Sequence, residues 1–187
     1  MKPKAQIWIS AVLYMALGVI VLTIILAAGV PMIQKMKDKN VFAQTKSVLL
    51  TLDKNIKDVA LEGPGAKRYL SPFEIKAGNL FIDSGSDRIM WSLKTKAKLM
   101  EPSYDFKGKP TGVSEFREGP LYMYMNESQV VDEYFLNLKL EYEDTADIEL
   151  KSVFEGPFQG SYSLTIKHTG EYNPDTQLPV VDIEIST

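Results

Sequence analysis

The alternation of apolar and polar positions divides the chain into three stretches of different period. From Ile7 to Val30 the sequence IWISAVLYMALGVIVLTIILAAGV holds neither a charge nor a proline. As a helix its 24 residues would reach about 36 Å, enough to cross a hydrocarbon layer of about 30 Å with some tilt. A core helix of a soluble protein needs only about 10–14 such residues, so the length argues for a membrane-embedded helix. Pro31 follows directly, and after it the period is helical but amphipathic. Val41, Val48, Leu52, Ile56 and Val59, thickened by Phe42 and Leu49, fall on one stripe, while Lys39, Lys46, Asp53, Lys54, Lys57 and Asp58 fall largely off it. Pro31 removes a backbone donor and crowds the turn before it, which predicts a kink there. Glu62-Gly63-Pro64-Gly65 supplies the stop.

From Tyr69 onward the period becomes two. Tyr134, Leu136, Leu138, Leu140 and Tyr142 alternate with Phe135, Asn137, Lys139 and Glu141, the clearest half-buried strand in the chain. Weaker copies run over residues 79–83, 87–94, 121–125, 147–154, 161–168 and 180–185. Breaks at Ser84-Gly85-Ser86, Lys107-Gly108-Lys109-Pro110, Glu118-Gly119-Pro120, Glu155-Gly156-Pro157 and Tyr172-Asn173-Pro174-Asp175 separate them. Strands this dense, with no helical pattern between them, predict an antiparallel sandwich or a strongly curved sheet, so the fold class is α+β. In Leu121 to Met125 both faces are apolar. One is expected in the core, and the other either under the amphipathic helix, which is the preferred cover, or exposed as a contact surface.

Charge adds an asymmetry to this picture. Residues 1–68 carry 10 Lys+Arg against 4 Asp+Glu, a balance of +6, and residues 69–187 carry 11 against 20, a balance of −9. An acidic distal domain is unsuited to nucleic acid, whereas a basic flank beside an apolar helix suits lipid headgroups. There are no cysteines, which excludes disulfides, thiolate metal sites and a cysteine nucleophile.

Candidate chemistry is sparse. His168, the only histidine, is in phase with Tyr162, Leu164 and Ile166 near the end of a strand and is expected at the surface or an edge rather than in catalysis. Glu141, Glu143, Asp144, Asp147 and Glu149 have acidic character that calcium would favour. Their alternation reads instead as the solvated face of a hairpin turning at residues 144–146. Asn126-Glu127-Ser128 is an N-glycosylation sequon, placed after the Leu121 strand in an expected loop. The sequence has no nucleophile elbow, phosphate loop or zinc-binding helix motif. We expect no enzymatic activity, no metal, no cofactor and no small-molecule substrate.

The chain opens Met1-Lys2-Pro3-Lys4-Ala5-Gln6. The apolar run behind it is longer than the roughly 7–15 residues of a secretory signal, although Ala27, Ala28 and Gly29 supply small residues at its far end. Lys4-Ala5-Gln6-Ile7 resembles the processing site of archaeal type IV prepilins, in which a basic residue and Gly or Ala precede the cut. The resemblance implies a class III signal peptide cleaved between Ala5 and Gln6 by a membrane peptidase. It extends to the long helix, membrane-embedded in its first half and packed on a β domain in its second. Many members carry glutamate at the fifth mature position, which here is Ser10.

The segments expected are a leader at 1–5, an assembly helix at 6–30, an amphipathic helix at 31–62 and an extracytoplasmic β domain at 66–187. The resemblance implies a structural subunit with lipid, the prepilin peptidase and copies of itself or other pilin-like subunits as partners. It also implies a cytoplasmic N-terminus, an outer C-terminal domain and assembly into a surface filament. The alternative is a single-pass tethered binding module that does not polymerise. An extracytoplasmic enzyme would need convergent polar residues that the sequence does not identify.

Overall fold

The computed structural model describes residues 3–101, 113–128, 130, 133–152 and 156–186, with side chains from Trp8 onward. The break expected at Lys107-Gly108-Lys109-Pro110 and the end of the strand expected at residues 147–154 lie outside the described residues. The chain divides into two units, Met1–Asp38 and Lys39–Thr187. Both contain part of one helix, α1 (Pro3–Glu62), whose 60 residues run through Pro31 without a break. Proline has no N–H to give the carbonyl four residues earlier, so Ala27 loses its intrahelical donor there.

In the first unit the helix is apolar all round over Trp8–Val30. Its large side chains stand exposed from Trp8 to Met36, and its apolar segment is long enough to cross a membrane. A helix of this kind at an N-terminus suits a membrane anchor or a signal sequence.

In the second unit the helix is one-sided. Leu49, Leu52, Ile56 and Val59 are completely buried at spacings of three and four, and Val41, Phe42 and Val48 pack around them. This is the stripe expected from periodicity. Gly63, with φ of 84°, ends the helix in the left-handed region that a residue with a Cβ resists, and Ala66 N–H then donates to Gly63 O at 3.1 Å.

The buried stripe lies on a single hydrogen-bonded sheet. Its strands are β1 (Lys67–Asp83), β2 (Arg88–Thr95), β3 (Val113–Glu118), β4 (Leu121–Glu127), β5 (Tyr134–Glu141), β6 (Asp147–Lys151), β7 (Phe158–Tyr172) and β8 (Pro179–Ser186). They are ordered β3-β4-β5-β2-β1-β7-β8-β6, antiparallel except for the parallel pair β6 and β8. Of the two architectures expected, a continuous sheet is the one formed. Its hinge is β1, which pairs with β7 mainly over Lys67–Ile75 and with β2 over Asn79–Asp83. Register shifts between Leu70 and Phe73 and between Ile75 and Leu80 mark the change of partner.

Register keeps the core on one face. Leu80 opposes Trp91, which opposes Leu138, which opposes Met123. Ile166 opposes Ile183 in the other half. All of these are buried in one cluster with the helical stripe. Tyr122 and Tyr124 therefore lie on the opposite face, half-buried and away from the helix, so the second apolar face is the uncovered one of the two alternatives rather than the helix-covered one. Their rings sit 5.7 Å apart, and Lys139 Nζ lies 5.3 Å from the centre of the Tyr122 ring.

Candidate functional site

The feature with the plainest functional content is the apolar surface of α1. Exposure of a single apolar side chain would be unremarkable, but here the exposure is continuous. Trp8 and Tyr14 are each 75% exposed and Leu17, Ile20, Ile24 and Ile33 are all more than half exposed. Farther along the same helix Leu49 and Ile56 fall to 0%. One element thus carries a surface satisfied by protein and another that requires an apolar surrounding. Thr23 donates its hydroxyl back to Val19 O at 2.8 Å, so that polar group is satisfied within the helix.

Lys4, Ala5 and Gln6, the residues of the expected processing site, fall in the first turns of α1. Pro3 opens the helix, where its missing N–H removes no intrahelical bond. Pro31 follows the apolar segment, as expected, and is followed by an exposed basic stretch holding Lys35, Lys37 and Lys39. Asp38 is buried, and its carboxylate accepts from Gln34 Nε2 at 3.0 Å.

The second unit is held to its helix by a few polar contacts within the apolar core. Asp53 is buried, and Lys57, one turn away, approaches both of its oxygens at 2.9 and 3.0 Å. The Tyr142 phenol faces that carboxylate. Burial, and then the Asp53 charge, holds it protonated well above the ordinary tyrosine range.

At the end of the β1–β2 turn, Asp87 ties β2 to the end of β5 and to β6. Its carbonyl accepts from Tyr142 N–H at 2.9 Å and its Oδ1 from Ile148 N–H at 2.7 Å. Ser84 Oγ accepts from Leu150 N–H at 2.9 Å. The β1–β2 turn therefore supplies acceptors to β6 that another strand would otherwise provide. Asp87 was not singled out from the sequence. The signal available was its position at the end of the Ser84-Gly85-Ser86 turn, where aspartate tolerates a positive φ, here 46°.

The remaining candidates resolve differently from expectation. His168 is 1% exposed rather than at the surface. Its Nδ1 accepts from Gly170 N–H at 2.9 Å, which leaves the ring proton on Nε2, and the ring meets Tyr172 edge-on at 5.8 Å. It belongs to the core face because it continues the Leu164 and Ile166 alternation to the point where β7 approaches Ala66.

The acidic run does not form a hairpin. β5 pairs with β2 and β4, while β6 pairs in parallel with β8 at the far edge of the sheet. Adjacent strands usually pair, but here the turn at residues 143–145 delivers the chain to the Asp87 and Ser84 acceptors instead. Among the described residues no group of three or more His, Asp or Glu is arranged to hold a metal ion.

Asn126 sits inside β4 rather than in a loop, paired across to Val113 and Phe135. Its carboxamide oxygen is buried without a hydrogen-bond partner among the described residues. In comparisons with known proteins the chain matches no family model, no curated protein and no solved structure.

Proposed function

We propose that the chain is a pilin-like structural subunit, anchored by its N-terminal helix and assembled into a cell-surface filament after processing between Ala5 and Gln6. The observation that carries this reading is the change of character along α1, from an apolar surface exposed over Trp8 to Met36 to a stripe buried on the β-sheet domain. Over Ile7–Val30 that surface carries no charge, and such a surface can exchange lipid for identical apolar neighbours at small cost, because both surroundings are equally apolar. Lys4-Ala5-Gln6 stands immediately before that surface, where a cut leaves it as the new N-terminus. The role is structural rather than catalytic, with a cytoplasmic leader and an outer β domain.

The reading is tested by replacing Ala5 with tryptophan. The expected result is a longer precursor retained in the membrane and loss of the protein from the sheared surface fraction. A mature species of unchanged mass and an unchanged sheared fraction would reject it. Ser10, standing where many pilins have glutamate, favours the second reading, a tethered binding module that keeps its leader and does not polymerise.

A further inference from the structure

The face of the sheet turned away from α1 leaves apolar side chains uncovered, and one residue on it heads a modification sequon. Tyr122, Tyr124 and Asn126 alternate along β4 and point to that face together. Asn126 lies opposite Phe135 of β5, and Tyr124 lies opposite Asn137. Directly opposed residues have their Cβ atoms about 5 Å apart, which makes the Asn126 and Phe135 side chains neighbours. Phe135 is 40% exposed and Tyr124 is half-buried. In the Asn126 carboxamide the oxygen is buried without a hydrogen-bond partner among the described residues. The nitrogen, the atom that carries an N-linked sugar, is held by no hydrogen bond to them either.

We propose that Asn126 is N-glycosylated and that the first sugar lies over the rings of Phe135 and Tyr124. Asn126-Glu127-Ser128 supplies the acceptor. A pyranose ring has a face made of C–H groups and a rim of hydroxyls. Laid beside Asn126, its C–H face removes the two rings from water, and the Asn137 carboxamide meets its hydroxyls. This rests on the outward β domain of the filament reading, since a sequon is used on the secreted side of a membrane. It adds what covers the face that the helix leaves bare.

The donor is a sugar joined through its anomeric carbon to a lipid-borne phosphate. Asn126 Nδ2 forms a bond to that carbon as the bond from the carbon to the phosphate oxygen breaks. The lipid phosphate leaves with the electron pair, and the nitrogen gives one proton to a base of the transferase. In the folded domain the sequon is not presented for this step. Asn126 is paired to a strand on each side, Ser128 N–H donates to Glu133 O at 2.8 Å, and Ser128 Oγ accepts from Val130 N–H at 3.3 Å. Transfer therefore precedes the pairing of β4, and folding then seats the sugar on the aromatic face.

The test is mass analysis of the full-length protein recovered from the membranes of the cells that make it, beside Asn126→Gln and Ser128→Ala. The expected result is a peptide containing residue 126 that carries the mass of a glycan in the parent and in neither variant. Ser128→Ala keeps the asparagine, so loss of the added mass there identifies the sequon as the signal. A membrane-impermeant lysine reagent applied to intact cells reports where the β domain lies. An unmodified Asn126 on a labelled domain would overturn the glycosylation and leave the filament reading in place. An unmodified Asn126 on an unlabelled domain would overturn both. The seat of the sugar is read from melting midpoints in detergent. The parent should melt about 3 °C above Ser128→Ala, and that gap should at least halve when Phe135→Ala is present in both. No gap, or one indifferent to Phe135, would overturn the seat given to the sugar.

Discussion

Three residues carry more of the fold than their positions in the sequence suggest. At Asp87, burial is the main cause that raises the carboxyl above its ordinary range, opposed by the bond from Ile148 N–H and reinforced by Asp147, Glu143 and Asp83. A raised folded value means that the folded state holds the proton more tightly than the unfolded chain. Ionisation of Asp87 as pH rises from about 4 therefore works against the fold. Asp87→Asn keeps an acceptor for Ile148, suits the positive φ and removes the charge, so urea unfolding at neutral pH should find it no less stable than the parent. Asp87→Ala leaves the Ile148 amide without its acceptor and should cost about 1–3 kcal/mol.

Tyr142 bears on the alkaline side. Its phenol titrates well above the ordinary tyrosine value in the fold, because it is buried and faces Asp53. Its contribution is complete below about pH 10 and is lost as pH rises through the folded value. Tyr142→Phe should lose less stability than the parent between neutral pH and pH values above about 10, as followed by denaturant midpoints. Gly78 is the third. Its φ is 78°, and a Cβ there would lie 2.6 Å from the carbonyl oxygen of Ser92 and from Trp91 Nε1. Trp91 Nε1 donates to Ala77 O at 2.9 Å, so the indole is not free to retreat. Gly78→Ala should therefore destabilise by more than about 1 kcal/mol in the same assay.

At the scale of elements, the helix was the most legible part of the chain and the order of the strands the least. The stripe of Val48, Leu52, Ile56 and Val59 is visible because a 3.6-residue period admits few other interpretations, and the structure buries it against the sheet. Leu52→Ala should accordingly cost about 2–5 kcal/mol. Ser47→Ala, on the exposed side of the same turns, should stay within about 0.5 kcal/mol.

β5 was equally plain, since its apolar alternation is strict. β3 was invisible because it is a short edge strand that carries little apolar pattern: Ser114 and Phe116 share the core face, opposite Met125 and Met123, yet the serine is the buried one and the phenylalanine is exposed. The first part of β1 was obscured by Ser71-Pro72 and Ala77-Gly78, which resemble loop residues and in fact accompany the register shifts where the strand changes partners. The parallel pairing of β6 with β8 leaves no local trace, because it is decided by side-chain acceptors on a turn about sixty residues earlier.

For the whole molecule, the two units answer different demands. The β domain builds a core that buries its own stripe of α1, while the first unit exposes one continuous apolar surface along that helix. Hydropathy alone makes that surface a membrane anchor or a signal sequence. The residues before it, Lys4-Ala5-Gln6, make it a candidate for an N-terminus created by processing, which would free the helix to leave lipid and pack with copies of itself.

The most direct test is the N-terminal sequence of the protein recovered from cell membranes and sheared surface material. The account predicts that Gln6 is the first residue in both. Met1 as the first residue would contradict it in favour of a permanently tethered module, and a start at or beyond Pro31 would show that the helix is discarded rather than used.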